Sequence, residues 1–291
     1  MARCLFLYPN LSDVRKGATP GADLKGGNWV LPLANVQNRR LSKIARSAST
    51  APADTQFEVT FDAYGEVRAI VLVNHNFSPV ARWRITGWDD DGSYFDNAYQ
   101  IETDVYPTLG YPEDTPFEQA NWFDQKPLLQ DLEGFTQNAI HVLPEPYYLR
   151  HWRIELIDDD NEAGFLQFGR LWMATGWQPS HNMSYGQSAL AFNSLTTVEA
   201  ALSGAEFFDV RAPFRTFAIG FEFLPQQEAL DRGLEMMRRA GKHGEVFYIH
   251  DPDDAANLTR TSFLARFEEL LPWEQVVFQR ANIGFRLKEL L

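Results

Sequence analysis

Cysteine is almost absent from this chain of 291 residues, which contains only Cys4. A single cysteine can form no intrachain disulfide and no cysteine-based metal site. The sequence is therefore typical of a protein that folds in a reducing cytoplasm. Cys4 has no evident histidine partner and lies near a terminus, so the pattern does not favour a nucleophilic thiol.

Positive charge and long apolar runs are also scarce. The chain has 26 Lys and Arg against 39 Asp and Glu, which gives a net charge of −13. This excess argues against nucleic acid or an anionic membrane as the main partner. No apolar run is long enough to span a bilayer. The start, with four apolar residues before Pro9, does not have the pattern of a signal peptide.

The sequence lacks the short motifs of the common enzyme classes. Its six histidines form no HExxH spacing, and there is no GxSxG, P-loop or dinucleotide-binding glycine pattern. His75 follows the central predicted strand and is interpreted as a hydrogen-bonded loop residue. We therefore expect a protein that is not an enzyme and needs no cofactor or metal.

Aromatic residues and alternating apolar patterns are abundant. Aromatics make up 14% of the chain, and they favour pleated sheets and subunit contacts. Residues 57–62 and 82–88 alternate between apolar and polar side chains, whereas residues 67–73 are almost wholly apolar. A turn is predicted at Tyr64 and Gly65. Three strands so close together predict a mainly all-β fold made of sandwiches.

The chain divides into four predicted segments. Residues 1–27 are an N-terminal arm outside the core, because glycines and prolines interrupt them. Residues 28–178 form a β-sandwich jelly roll, and residues 179–204 are a linker or an exposed hairpin. Residues 205–291 form a second β-sandwich with one flanking helix.

Two stretches need separate interpretation. Prolines interrupt residues 94–146, where only a short helix over residues 116–123 is expected. In the last segment, Pro225 begins a helix over residues 226–240 and Gly241 ends it. Its predicted apolar stripe consists of Leu230, Leu234 and Met237. Strands are expected over residues 245–250, 262–270 and 274–287.

Two acidic turns are the first candidates for a site. Residues 89–91 and 158–160 are both runs of three aspartates, and clustered carboxylates can bind calcium. The alternative is that they only cap turns between strands. Beside the first turn, Trp88 and Tyr94 could stack on a sugar, or Trp88 could close the β core. The candidate glycan contacts are Trp88, Asp89, Asp90, Asp91 and Tyr94.

Two further groups are candidates for a subunit interface. The positive charges of Arg39, Arg40 and Lys43 lie close together in an acidic protein, which indicates either a contact with an acidic neighbour or a solvated loop. The alternating residues Phe217, Ile219 and Phe221 indicate a strand with one buried face. If this strand is an edge, it could pair with another subunit.

The first domain resembles the discoidin-type, galactose-binding-like jelly rolls. The resemblance rests on residues 57–77 (FEVTFDAYGEVRAIVLVNHNF), the strand RWRITGWDDDG, and the closing stretches YLRHWRIELIDDD and FLQFGRLWMATGW. Trp152 and Arg153 match the aromatic residue and arginine of the penultimate strand. The bracketing cysteines of that family are absent. The resemblance implies a jelly roll and assigns no ligand-binding residue.

The second domain resembles the tube-like domain of bacteriophage tail-tube and distal-tail proteins. The resemblance rests on residues 212–252 (APFRTFAIGFEFLPQQEALDRGLEMMRRAGKHGEVFYIHDP) and on VVFQRANIGFRLKELL at the end. It implies a β-sandwich that closes into a ring with other copies. The order of the two modules is the reverse of a common distal-tail arrangement.

Together the two resemblances imply a structural protein of a phage tail tip or baseplate. Such a protein would be made in the cytoplasm of the host bacterium and incorporated into the virion tail. Its partners would be other copies in a ring and other tail proteins, with no nucleic acid and no membrane insertion. The alternative is a receptor-recognition module for host surface glycans. A third hypothesis, a glycan-cleaving enzyme, would require two suitably spaced carboxylates.

Overall fold

The computed structural model describes residues 3–15, 21–90, 98–108, 119 and 121–291. Contacts divide the chain into two compact units. The N-terminal unit consists of Phe6–Trp177 and Pro252–Arg260, and the C-terminal unit of Met1–Leu5, Gln178–Asp251 and Thr261–Leu291. The chain thus passes from the first unit to the second at Trp177 and returns briefly near its end.

The N-terminal unit is built on antiparallel strands that surround one hydrophobic core. The strands are β1 (Leu5–Leu7), β2 (Ala22–Lys25), β3 (Trp29–Leu31), β4 (Ala45–Ser47), β5 (Phe57–His75), β6 (Arg82–Trp88), β7 (Tyr99–Asp104), β8 (Asn138–Ile157), β9 (Gln167–Ala174) and β10 (Gly176–Trp177). The main sheet has the order β3-β4-β9-β5-β8-β6-β7, with β2 paired to β5, whereas β1 and β10 pair with each other outside this sheet. Short helices lie at Leu33–Gln37 (3₁₀), Pro52–Thr55, Leu129–Leu132 and Ala255–Asn257 (3₁₀), and a further one spans Leu258–Thr261.

Alternating apolar residues explain where this core lies. Phe57, Val59 and Phe61 of β5 point inward between half-buried polar neighbours, as a period of two requires. Opposite them, Trp152 and Ile154 of β8 are fully buried. These large side chains exclude water from one face of the strands, and the other face carries the charged residues.

The predicted turn at Tyr64 and Gly65 was wrong. Residues 57–75 form one 19-residue strand, and the pairing with β8 shifts register between Thr60 and Gly65. The break in the alternation is therefore a bulge, which bends a strand without reversing it. At the end of this bulge, a Cβ on Gly65 would lie 3.0 Å from Cδ1 of Leu11, so the chain leaves little room for a side chain there.

The predicted position of the N-terminal arm outside the core was also wrong. Residues 4–7 are apolar and at most 1% exposed. Phe6 pairs with Trp177, and their rings stack at 5.4 Å. Farther along the predicted arm, β2 pairs with β5 in an antiparallel manner. Glycines and prolines occur around these short strands, but the apolar side chains between them supply enough buried surface to order the segment.

The strands of the C-terminal unit are β11 (Ala189–Asn193), β12 (Thr197–Ala200), β13 (Glu206–Asp209), β14 (Phe214–Pro225), β15 (Val246–Ile249), β16 (Phe263–Glu269), β17 (Trp273–Val277) and β18 (Arg280–Glu289). They include a second large antiparallel sheet, in which the order is β15-β16-β18-β14-β11 and β17 pairs with β18. Strands β12 and β13 form a separate two-stranded sheet. Two large antiparallel sheets confirm the mainly all-β prediction.

The helix of this unit forms where the sequence predicts it, with a different buried face. Its turns span Gln226–Glu228, a π-helical stretch Ala229–Leu234, and Glu235–Ala240. Gly241, at φ 56°, ends it as expected. Leu234, however, is 38% exposed. The wider π turns rotate the residues after them, so Met236 and Met237 are the buried pair.

The strand β14 is not an edge, which corrects the expectation for Phe217, Ile219 and Phe221. It pairs with β18 on one side and with β11 on the other. The three side chains are at most 4% exposed. These three residues form the face of β14 that is buried within the unit, so a contact with another subunit must use other residues.

Two further sequence expectations concern short segments. The strand predicted over residues 274–287 is a hairpin of β17 and β18, which turns at Gln279 with φ 59°. The proline-rich region holds β7, the helix Leu129–Leu132 and the start of β8. The helix predicted over residues 116–123 falls largely outside the described residues.

Candidate functional site

The acidic turn after β6 meets a group of side chains from β5 and β8. The carboxylate of Asp90 lies 2.6 Å from Nη1 of Arg150 and 2.7 Å from Nε2 of His151. The hydroxyl of Tyr64 donates to it at 3.4 Å. Tyr64, Asp90, Tyr148, Arg150 and His151 are called the Tyr148 face below.

Strand pairing brings these residues together. His151 is opposite both Trp88 of β6 and Thr60 of β5. Thr60 is the last paired residue before the β5 bulge, and the bulge places Tyr64 beside Tyr148 of β8. Their rings stack at 5.6 Å with an angle of 17°. The face therefore depends on β5 and β6, which are consecutive in the chain, and on β8, which is distant from both in sequence.

The aromatic part of the face is open to solvent. Tyr148 is 64% exposed and Tyr64 is 37% exposed. Trp88 is half-buried and stacks on His151 at 5.6 Å and 14°, which holds the imidazole against the sheet. Thr60 Oγ1 lies 3.2 Å from Nδ1 of the same imidazole. Trp88 thus helps to hold His151 in place, and Tyr148 is the most exposed aromatic ring of the face.

The electrostatics of the face are set by Asp90. Hydrogen bonds from His151 and Arg150 hold the pKa of its carboxyl below its usual range. A hydrogen bond to Asp89, together with partial desolvation, raises the pKa of the Tyr64 hydroxyl to about 12. At neutral pH the face therefore presents an ionised carboxylate next to protonated hydroxyl and guanidinium donors.

Arg150 is further positioned by the backbone. Its Nε donates to the carbonyl oxygen of Phe61 at 3.0 Å, at the start of the bulge. One side of the guanidinium is thereby held by β5 and another by Asp90, while the side chain keeps 35% of its surface exposed. Such preorganisation reduces the entropy lost when a ligand binds.

Charges elsewhere on these strands are paired with one another. Arg84 of β6 lies 2.8 Å from Glu102 and 3.3 Å from Glu155. Arg153 of β8 lies 2.5 Å from Glu58. These pairs form a ladder of ion pairs across neighbouring strands.

The structure brings together part of the predicted glycan contacts. Trp88, Asp89 and Asp90 are at the face, whereas Asp91 and Tyr94 lie outside the described residues. Sequence reasoning missed Tyr64, Tyr148, Arg150 and His151. An available signal was the pair of adjacent tyrosines, Tyr147 and Tyr148, in a strand. Alternation requires one of two such neighbours to face outward.

The second acidic turn is a capped turn. Asp158 is 3% exposed, and its carboxylate accepts from the backbone N–H and the hydroxyl of Ser78 and from Nδ2 of Asn161. This agrees with the turn-capping alternative. Among the residues that the structure describes, no group of three or more His, Cys, Asp or Glu side chains could hold a metal ion.

The remaining candidates occupy contrasting environments. Arg39, Arg40 and Lys43 are exposed in the loop between β3 and β4. Cys4 is buried, and desolvation raises the pKa of its thiol to about 12, so it is a poor nucleophile. His75 is 6% exposed and stacks on Phe77 at 4.2 Å. Its Nδ1 accepts a hydrogen bond from the backbone N–H of Phe77 at 3.1 Å, as the prediction of a hydrogen-bonded residue requires, but it is the last residue of β5 and lies in the core, not in a loop.

Comparison with known proteins gives distant structural neighbours only. No protein-family model and no curated protein matches the sequence significantly. The chain is similar to CBM32-1 from a family 31 glycoside hydrolase of Clostridium perfringens, at 14% identity and a TM-score of 0.35, over 58% of this chain and 99% of that one. It is also similar to the family 32 carbohydrate-binding module of C. perfringens NanJ in complex with galactose, at 12% identity and a TM-score of 0.32, over 54% and 93%. At these values the ligands of those proteins do not transfer to this chain.

No helix among the described residues is both long and apolar enough to cross a membrane.

Proposed function

We propose that the N-terminal unit binds a carbohydrate at the Tyr148 face. The observation that carries this proposal is the exposed Tyr64–Tyr148 stack beside the ion pair of Asp90 and Arg150. An exposed flat ring accepts the apolar C–H face of a sugar, and adjacent charged groups accept and donate hydrogen bonds to its hydroxyls.

The proposed contacts can be assigned to individual residues. The ring of Tyr148 would be the stacking platform because it is the most exposed aromatic of the face. Asp90 would accept from sugar hydroxyls, since a carboxylate has about four lone-pair positions and protein donors do not use all of them. Arg150 would donate from the part of its guanidinium that does not face Asp90.

We propose recognition without a reaction. The low pKa of Asp90 keeps its carboxyl ionised at neutral pH, which does not suit a general acid in glycoside hydrolysis. Binding of this kind requires no cofactor. Incubation with a bound polysaccharide should therefore release no sugar, and release of sugar would establish the hydrolase hypothesis instead.

The test is a glycan array with the full chain, followed by calorimetry on the best ligand. Tyr148→Ala should weaken binding by about 10-fold or more, which corresponds to about 1.4 kcal/mol for a lost stacking contact. Trp88→Ala should also weaken binding, because Trp88 supports the imidazole of His151.

The matched control is Tyr185→Ala, which removes a tyrosine that is 91% exposed in the C-terminal unit. It should bind like the wild type. Both tyrosines are exposed, so neither change should alter the thermal melting curve. The proposal is wrong if no glycan binds, or if Tyr148→Ala and the control bind equally well.

The second candidate function is a structural role in the tip or baseplate of a phage tail, as a ring built from copies of this chain. The observation that favours an assembly role is the exposed apolar surface of β12 and β13 in the C-terminal unit. Large exposed patches of this kind mark interaction sites. In this role the protein would be made in the bacterial cytoplasm and would become part of the virion.

Its test is the location of the protein. Gold-labelled antibody against the chain should mark the tail tip of purified virions in electron micrographs. Label on the capsid, or no label on particles whose tails are intact, would contradict the structural role. Neither result would affect the glycan proposal, because binding at the Tyr148 face is measured on the isolated protein.

A further inference from the structure

The most unusual surface of the C-terminal unit is an exposed hairpin. The segment 195–210, called the apolar hairpin, contains β12, β13 and the turn that joins them. Every residue of the two strands is exposed, and among the described residues they pair only with each other. Six of its large apolar side chains are more than half exposed: Leu195, Val198, Leu202, Phe207, Phe208 and Val210.

Neither face of the hairpin is covered. Val198 and Phe208 are directly opposite and share one face, while Phe207 is opposite Glu199 on the other. A single two-stranded hairpin is at best marginally stable in water. Since apolar side chains project from both of its faces, a partner would both cover and stabilise it.

The size of this surface fits a specific contact. Six exposed side chains of these types offer roughly 800 Å², close to the area that one partner contributes to an interface of standard size. The hairpin is also acidic, because Glu199 and Glu206 project from opposite faces beside the phenylalanines. Asp209 is neutralised locally by Arg211 at 2.7 Å.

A complementary surface exists on the same chain, in the N-terminal unit. Strand β3 is at the end of its sheet and, in the part of the chain that the structure describes, pairs with β4 alone. Val30 and Leu31 of this strand are 67% and 37% exposed. The loop that follows carries the exposed cations Arg39, Arg40 and Lys43. The β3 edge and the loop after it therefore combine a terminal strand of the sheet, exposed apolar side chains and positive charge.

We infer that the apolar hairpin of one copy docks on the β3 edge of a second copy. Backbone pairing would extend the sheet of the receiving copy, as in β-strand addition. Val30 and Leu31 would contact the phenylalanines, and the loop cations would meet Glu199 and Glu206. Because each copy carries a net charge of −13, two copies repel each other over most of their surfaces. The basic loop after β3 therefore favours contact with the acidic hairpin over contacts elsewhere.

The two surfaces differ, so the contact joins copies head to tail. Such heterologous contacts give a closed ring or an open filament. This inference deepens the proposed assembly role and rests on it: it names the partner, a second copy, and the elements through which the copies meet.

The test is sedimentation velocity on the full chain over a range of concentrations. The wild type should associate, and Phe207→Ser with Phe208→Ser should raise the dissociation constant by at least about 100-fold, as expected for two buried aromatic contacts. Phe278→Ser is the matched control, because Phe278 is 83% exposed at the β17–β18 turn. It should associate like the wild type.

Charge reversal tests the receiving surface. Changing Arg39, Arg40 and Lys43 to Glu should weaken association, and adding Glu199→Lys and Glu206→Lys should restore most of it. Recovery of association after the two Glu→Lys changes would show that the two surfaces meet, because a variant that had failed to fold would not regain association.

The outcomes separate the two ideas. A wild-type monomer at about 100 µM, well above the dissociation constants of most specific interfaces, would overturn both the hairpin contact and ring assembly. Association that the serine variant does not weaken, or that Phe278→Ser weakens equally, would overturn the hairpin contact alone. Association that stays unchanged after charge reversal of Arg39, Arg40 and Lys43 would also overturn the hairpin contact alone.

Discussion

Arg215 and Glu289 form a buried ion pair in the C-terminal unit. Their side chains are 0% and 4% exposed, and Nη2 lies 2.5 Å from Oε1. Glu289 also accepts from the backbone N–H and Nε of Arg215 at 2.8 and 2.9 Å. The guanidinium lies 4.8 Å from the ring of Phe263. Removing one charge would leave the other desolvated and uncompensated.

Glu289→Gln should therefore lower the free energy of unfolding by about 3–5 kcal/mol, as measured by chemical denaturation. Glu269→Gln is the matched control. Glu269 contacts Arg286 at 2.8 Å with both side chains nearly half exposed, and exposed pairs contribute only about 0–1 kcal/mol. Equal losses in the two variants would show that burial does not govern these ion pairs.

The residues of the Tyr148 face show which part of a site is visible in a sequence. Trp88 and Asp90 were predicted because an aromatic residue next to an acidic turn is a local pattern. Tyr148 and Arg150 were not, because their position depends on the pairing of β8 with β5 across some 90 residues of chain. Local periodicity shows that a strand exists but does not name the strand opposite.

At the scale of elements, β5 shows how a break in alternation can be misread. Residues 62–64 are three exposed residues in succession, which from sequence alone resembles a turn. The structure makes them a bulge, because β8 pairs with β5 both before and after it. The length of the partner strand decided between a turn and a bulge, and it lies in another part of the chain.

The apolar hairpin and the helix illustrate two further cases. Residues 179–204 are predicted as a linker or an exposed hairpin, but they contain β11, which pairs with β14, and β12, whose partner β13 lies beyond residue 204. The helix was predicted correctly with its terminal Gly241, since helix ends depend on nearby residues. The buried face shifted because a π-helical stretch changes the number of residues in a turn.

At the scale of the whole molecule, two desolvated histidines make stability depend on pH. Desolvation lowers the pKa of His75 to about 3 and that of His141 to about 4. The unfolded chain takes up protons at these sites near pH 6.5, and the folded one does not. Their contribution to stability is therefore fully present above pH 6.5 and decreases as the pH falls toward 4.

Between pH 6.5 and pH 5 the free energy of unfolding should fall by roughly 1.5 kcal/mol for each of these histidines. The depressed pKa values of Asp90, Glu102 and Glu235 affect stability only at lower pH. Urea denaturation followed by tryptophan fluorescence would measure the change, because Trp83, Trp152 and Trp172 are buried in the same unit.

His141→Asn should reduce this drop by about half, because it removes one of the two titrating groups. His181→Gln, an exposed change in the C-terminal unit, should leave the drop as it is. A free energy of unfolding that stays constant between pH 6.5 and pH 5 would mean that both imidazoles are accessible to protons in the folded state.

The sequence alone determined the mainly all-β class, most strand positions and the helix near residue 230. These follow from periodicity, turn residues and helix ends, which are set by neighbours in the chain. Tertiary structure decided that residues 4–7 belong to the core, that β14 is an interior strand, and that Tyr64, Tyr148, Asp90 and Arg150 meet. Each of these depends on which strand lies opposite, and pairing between distant segments is a property of the whole chain.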